Sequence, residues 1–159
     1  SAHPSWVVAS QTPLGAPAIA RMGQAKVVLL RTLFSWSTVE PAPGARDWGA
    51  IDAIVAEAAG RGIEVLPVLY GTPAWIAERL DRRRCAPGCD VYPPRSDAAL
   101  RAWRRFVADA VRRYGRGGTF WEQHPALPKR PIVAWQVWNE QNSPDFFAPR
   151  ISGGLERSL

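Results

Sequence analysis

The chain of 159 residues has only two cysteines, Cys85 and Cys89, and only two histidines, His3 and His124. That is too few thiols for a disulfide-dense miniprotein. Neither histidine has companion ligands at metal-site spacing, so no metal is expected. Long hydrophobic runs are missing too. No apolar stretch approaches the roughly 18 residues of a membrane-spanning helix, and no basic segment leading into an apolar one opens the chain. A membrane partner is therefore not expected. Internal repeats and low-complexity tracts are absent. What remains is an ordinary globular composition, 47% hydrophobic and 21% charged, enough for the core of one domain.

Acidic residues are outnumbered, with Lys+Arg 20 against Asp+Glu 14 and a formal net charge of +6. Arginine supplies nearly all of the excess, because Lys26 and Lys129 are the only lysines. A strongly basic chain raises the question of nucleic-acid binding. The densest cluster is Arg82, Arg83 and Arg84, and Arg101, Arg104, Arg105, Arg112 and Arg113 recur further on at helical spacing. That spacing is the solvated polar face of an amphipathic helix. No helix-turn-helix, zinc-finger or RNP-type signature accompanies it, so nucleic acid is not the expected partner.

Short apolar runs alternate with amphipathic stretches, which is the pattern of strand-helix units on a parallel sheet. Strands are expected at residues 6–10, 27–36, 63–70 and 132–138. Their continuous Val, Ile and Leu suits strands covered on both faces. A helix capped by Asp47 would align Trp48, Ile51, Ile54, Val55 and Ala58 and end at Gly60 or Gly62. A second, capped by Ser96, would align Leu100, Trp103, Phe106, Val107, Ala110 and Tyr114 and end at Gly115. A shorter helix over 18–22 links the first two strands. Residues 37–46, 71–95, 117–131 and everything after 140 read as loops, where sites gather. In the longest of them Cys85-Ala-Pro-Gly-Cys89 can turn back on itself, so a local disulfide is preferred to two reduced thiols.

The chemically informative segment is Ala134-Trp-Gln-Val-Trp138-Asn139-Glu140-Gln-Asn142, an apolar strand ending in a carboxylate flanked by amides. At the C-terminal end of a parallel barrel strand a glutamate is placed to act on a ligand. Beside the Trp138 indole and away from bulk water its neutral form would be favoured, which suits a general acid. The alternative is a Glu140 that caps the next helix or pairs with an arginine. Glu40, just before Pro41, is the rival carboxylate.

Three segments occur in order, spaced by helices of suitable length. They are Arg31-Thr-Leu-Phe-Ser-Trp36 with Val39-Glu-Pro-Ala-Pro-Gly44 and Asp47-Trp48; Val65-Leu-Pro-Val-Leu-Tyr-Gly-Thr-Pro-Ala-Trp75; and Trp138-Asn-Glu140. On these the chain resembles the clan A glycoside hydrolases, barrel enzymes that cleave glycosidic bonds with two glutamates. The likeness extends from Met22 to Pro149 and is closest to bacterial members around families five and thirty-nine. It implies an α/β fold, the N-terminal half of a (β/α)8 TIM barrel with about four parallel strands. It also implies that Glu140 is the acid/base of a retaining hydrolysis of β-linked sugars, protonating the leaving oxygen and later activating water. Asn139 would hydrogen-bond the sugar's 2-hydroxyl, and Arg31 would point into the barrel and hold the ionised nucleophile. Trp36, Tyr70 and Trp75 would offer flat apolar faces to sugar rings, Trp75 being the best platform. In that family the Glu40-Pro41 pair belongs to the frame. No cofactor is implied, because two carboxylates and water suffice.

A complete barrel takes about 250 residues, roughly 90 more than this chain has. The family's nucleophile lies on the seventh strand, and Glu156, in a stretch without strand pattern, does not replace it. The expectation is a partial barrel domain over residues 1–150 with an irregular tail over 151–159, the product of a truncated gene. Such a chain would be inactive alone and prone to self-association through open sheet edges. The competing readings are a non-catalytic half barrel that binds carbohydrate or works only when assembled with a partner, and a basic nucleic-acid-binding protein. The cysteine pair and a polysaccharide substrate would place the protein outside the cell.

Overall fold

The computed structural model describes residues 5–12, 14–81, 89–143 and 146–147. In chain order the elements are β1 (Trp6–Ala9), α1 (Ala16–Gln24), β2 (Val27–Ser35), α2 (Trp36–Val39), α3 (Gly49–Gly60) and β3 (Glu64–Tyr70). There follow α4 (Ala74–Asp81), a 3-10 turn (Cys89–Val91), α5 (Asp97–Tyr114), α6 (Thr119–Gln123) and β4 (Gln136–Val137). The strands neighbour one another in the order β1-β2-β3-β4, and β1 runs parallel to β2 with Val7 opposite Leu29 and Ala9 opposite Arg31. Parallel neighbours need a crossover long enough to hold a helix, and the chain supplies one between each pair. This is the topology of the first four units of a (β/α)8 barrel.

The expected strands are present, but the fourth is shorter than its apolar pattern. Only Gln136 and Val137 pair. At one end the Ile132 amide is taken by the Tyr114 carbonyl at 2.9 Å. At the other, Trp138 has φ 63°, in the left-handed region that no strand can continue through. Asp47 does not cap α3. The cap residue is Trp48, without a side-chain bond, and the Asp47 amide instead reaches the Val39 carbonyl at 2.8 Å. Ser96 does cap α5, its Oγ accepting from the Ala99 amide at 3.2 Å. Three of the four segments read as loops contain a short helix: α2, with the Ser35 hydroxyl accepting from the Thr38 amide, then α4 and α6. Helices this short lack the periodic run that reveals a helix in sequence.

The chain folds into two compact units. The first comprises Ser1–Phe34, Trp48–Val68 and Ala108–Gln136. Its core is aliphatic: Ile19 of α1, Val27 and Leu30 of β2, Ile54 and Ala58 of α3, and Ile63, with Val8, Leu14, Met22 and Val65 packed against them. Each Val, Leu or Ile side chain among them contributes about 1.5–3 kcal/mol when fully buried. Tyr114 anchors an aromatic flank, its ring meeting Phe34, Trp48 and Phe120 edge-on or tilted. Its hydroxyl donates to Asp52 Oδ1 at 2.6 Å, and Arg113 grips both oxygens of the same carboxylate. Arg113 thus leaves the solvated arginine face on which its spacing placed it, while Arg101, Arg104, Arg105 and Arg112 are exposed. Arg82, Arg83 and Arg84 lie outside the described residues.

The second unit comprises Ser35–Asp47, Leu69–Val107 and Val137–Leu159. It takes up the chain where β2, β3 and β4 end, and so holds the C-terminal ends of those three strands and the segments that follow them. Its core is aromatic, with Trp36, Tyr70, Phe106 and Trp138 buried.

Candidate functional site at the strand ends

The second unit is organised by Glu40. Its carboxylate is 4% exposed and accepts from the Trp36 indole at 2.8 Å and from the Gly44 amide at 2.9 Å. Arg46 pairs with it at 3.2 Å, and its backbone carbonyl receives the Trp75 indole N–H at 2.9 Å. A buried carboxylate is tolerated only when its lone pairs are met in this way. Glu40 therefore fixes the turn after α2 and holds two tryptophans, which leaves it unsuited to attack or protonate a substrate.

Those tryptophans open an aromatic chain. Trp36 meets Trp75 edge-on at 6.1 Å between ring centroids, Trp103 at 5.4 Å, and Phe106 in a stacked contact at 5.8 Å. Trp103 meets Trp138 at 5.9 Å, and Trp138 meets Tyr70 at 5.0 Å. Two expectations give way here. Trp36 is fully covered and Tyr70 is 5% exposed, so neither offers an open ring to a sugar. Both are core residues, because the aromatic side chains of α5 and the neighbouring strand ends cover them. Trp75, by contrast, is only half-buried, its indole nitrogen held by the Glu40 carbonyl.

The segment after β4 has an unusual backbone. The Trp138 amide bonds the Leu69 carbonyl at 2.8 Å, and its indole donates to the Phe146 carbonyl at 2.7 Å. Trp138 and Glu140 both have positive φ, 63° and 39°. For residues with a Cβ this costs about 1–2 kcal/mol each, and such strain concentrates at functional sites. Between them Asn139 is 3% exposed. The Glu140 carbonyl accepts from the Ser143 amide at 2.8 Å, which closes a turn and leaves the Glu140 side chain exposed. The carboxyl group expected to lie away from bulk water beside the Trp138 indole is therefore exposed instead.

Arg31 belongs to the first unit, where its Nε donates to Gln136 Oε1 at 2.9 Å. Cys85 lies outside the described residues, and so does the pairing expected for Cys85 and Cys89. Among the described residues no group of three His, Cys, Asp or Glu is placed to hold a metal ion, and no helix is long and apolar enough to cross a membrane. Asp90, which no motif singles out, also lies in the second unit. The Thr72 amide donates to the Asp90 carbonyl at 3.1 Å and the Thr72 hydroxyl to the Tyr92 carbonyl, which fastens the 3-10 turn to the end of β3. Burial, and then the Asp90 charge, push the Tyr70 phenol far above the ordinary tyrosine value. The available signal was a Gly-Thr-Pro directly after a strand with a carboxylate later in the same loop.

A sequence model of the family 42 glycoside hydrolases, described as β-galactosidase, matches residues 15–82. The β-galactosidase BgaA of a Thermus species is 32% identical over 96 residues, covering 52% of this chain and 14% of that protein. The chain resembles a clan A glycoside hydrolase. Solved structures agree in fold. A β-galactosidase from the psychrophilic Marinomonas ef1 superposes with a TM-score of 0.62 at 21% identity, over 90% of this chain and 23% of that one. A family 39 glycoside hydrolase from Bacteroides cellulosilyticus WH2 gives 0.57 at 20% identity, over 89% of this chain and 26% of that one. The sequence likeness thus covers 52% of this chain and the likeness of fold about 90%, in each case only about a quarter or less of the relative's length, and the topology is that of an N-terminal half barrel.

Proposed function

We propose that this chain forms the N-terminal part of a retaining glycoside hydrolase acting on β-galactosides, with Glu140 as general acid/base. The observation that carries the reading is the Trp138-Asn139-Glu140 turn, a strained strand end that presents a carboxylate to solvent in the unit that also holds Trp75. Glu140 would protonate the glycosidic oxygen as the bond breaks and then deprotonate the attacking water. The buried Asn139 would orient the sugar beside it, and Trp75 would take the apolar face of a ring. A retaining mechanism needs a second carboxylate about 5–5.5 Å away to form the glycosyl intermediate. Glu40 is committed to Trp36, Gly44 and Arg46, so that partner is assigned to a part of the catalytic assembly beyond the described residues.

The test uses aryl β-galactosides of graded leaving ability, with the chain alone and with the assembly that completes its barrel. Glu140→Gln should abolish kcat/KM for poor leaving groups while largely sparing it for activated ones, whose departure needs no proton; kcat on the activated substrates should still fall, because the attacking water has lost its base. Equal losses of kcat/KM on both would remove Glu140 from the acid role. Galactoside binding that disappears in Trp75→Ala without any hydrolysis would favour the purely carbohydrate-binding reading instead.

The edge strand β1 supports the further reading that copies associate through it. Trp6 is 58% and Val7 62% exposed, and the strand has neither the Lys nor the Pro that usually blunts an edge. Sedimentation velocity should show dimers or larger species that Val7→Lys disperses, and a monomer at all concentrations would refute it.

A further inference from the structure

The arginines of α5 divide unevenly along the helix. In the part that belongs to the first unit, Arg113 grips Asp52 and Arg112 pairs with Asp109. In the part that belongs to the second unit, Arg101, Arg104 and Arg105 are exposed, and none of them pairs with another described residue. Elsewhere Arg46, Arg61 and Arg130 are likewise held by Glu40, Glu57 and Glu64. Among the described residues no other stretch this short carries three exposed arginines.

Spacings of three and four residues put these side chains on one helix face, within about 6 Å along the axis. Like charges so placed repel, and the helix bears that cost although acids could have been interleaved. Asp97, in the first turn, is the only acid of this part of α5. The helix behind them is fixed: Trp103 and Phe106 pack against Trp36, and Trp103 also meets Trp138. The arginines are therefore displayed from a rigid element of the unit that holds the strand ends.

A row of uncommitted guanidinium groups suits a linear polyanion. Each is planar, weakly hydrated and able to grip a carboxylate or a phosphate through two parallel N–H bonds. Single-stranded nucleic acid is held through stacked bases as well as phosphates. The other exposed residues of this part of the helix are Asp97 and Ala98, which offer no ring, and that favours a carboxylate polymer.

We propose that Arg101, Arg104 and Arg105 form an accessory surface for a carboxylate-bearing polysaccharide, holding the polymer on the unit that also carries Trp75 and Glu140. The inference rests on the glycoside hydrolase reading and adds to it the charge of the polymer on which the enzyme works.

The test follows fluorescently labelled polygalacturonate by anisotropy as the 159-residue chain is added. The unaltered chain should bind in low salt and release the polymer as salt screens the charges. Arg101→Gln, Arg104→Gln and Arg105→Gln should each weaken binding about threefold, the scale of one exposed ion pair, and together about thirtyfold. Glutamine keeps the helix, because its propensity matches that of arginine. A charge-matched control combines Arg21→Gln, Arg112→Gln and Arg116→Gln, all at exposed positions of the first unit, and should cost less than about threefold in total. Equal losses in the two triple variants would mean that net charge alone is read, and would overturn the proposal. Equal affinity for a single-stranded oligonucleotide of the same charge would overturn it too, and would count against the hydrolase reading with it. Absence of binding by the unaltered chain would overturn the accessory surface alone, since uncharged aryl β-galactosides test Glu140 independently.

Discussion

The two units bury different chemistry. The first packs Ile19, Leu30, Ile54 and Ile63 into an aliphatic core and places one ion pair, Asp52 with Arg113, under the hydroxyl of Tyr114. The second packs Trp36, Tyr70, Phe106 and Trp138 and ties its indoles to a carboxylate and to backbone carbonyls. Aliphatic burial is non-directional and tolerates small shifts. An indole whose N–H must find an acceptor tolerates few. The difference teaches where bonds of this kind gather: among the described residues the unit that holds the strand ends fixes three indoles, Trp36, Trp75 and Trp138, whereas the first fixes one, Trp121, to the Tyr114 carbonyl at 2.9 Å. Backbone strain follows the same division in part, as Trp138 and Glu140 lie in the second unit, although Lys26 of the first also has positive φ, 59°.

The largest effect should come from breaking the directional unit at its centre. Glu40→Ala leaves Arg46 without its carboxylate and frees two donors, and it should cost about 3–5 kcal/mol by analogy with broken buried pairs. Hydrogen exchange should show the loss of protection concentrated in residues 36–46. Leu30→Ala should cost about 2–5 kcal/mol in urea unfolding, the spread reflecting how far an aliphatic core collapses around the cavity. Its exchange signature should centre on α1 and α3. If the two variants gave the same exchange pattern, the units would not be separately stabilised and the comparison would fail.

Each unit also holds a tyrosine whose hydroxyl is pushed far above its ordinary value, Tyr114 by burial and then by Asp52, Tyr70 by burial and then by Asp90. The unfolded chain releases these protons near pH 10 while the folded chain retains them. The stabilisation is therefore complete below about pH 10 and declines as pH rises beyond it. Tyr114→Phe should cost about 1 kcal/mol at neutral pH and make the alkaline decline shallower, leaving the part due to Tyr70. An unchanged alkaline slope in urea titrations would show that Tyr114 ionises normally.

The smallest effect has the opposite sign. Glu140→Gly relieves a left-handed residue and should raise stability by about 1 kcal/mol or less, while removing the proposed acid/base. A loss of stability would mean that the Glu140 side chain holds the turn rather than serving chemistry.

Much of the frame was legible in the sequence because its signals are local. The apolar runs that became β2 and β3, the Ser96 cap and the single apolar face of α5 depend on residues within a turn or two of one another. The short helices α2, α4 and α6 were missed because four to eight residues carry no period. The fourth strand is shorter than its apolar pattern, since Ile132 gives its amide to the Tyr114 carbonyl instead of a neighbouring strand and Trp138 is left-handed. The platform role expected of Trp36 and Tyr70 failed for a related reason. An aromatic at a strand end can face a ligand or the core, and that choice depends on a helix distant in sequence.

By itself the sequence determined the alternation of strands and helices, the basic surface and the likeness to clan A glycoside hydrolases carried by Arg31, Trp75 and Trp138-Asn139-Glu140, because each is written in neighbouring residues. Only the tertiary structure decided that Arg113 turns inward to Asp52 and that Glu40 is a buried anchor while Glu140 is exposed. Burial and partnership arise between segments far apart in the chain, and which carboxylate meets water is settled only when those segments pack.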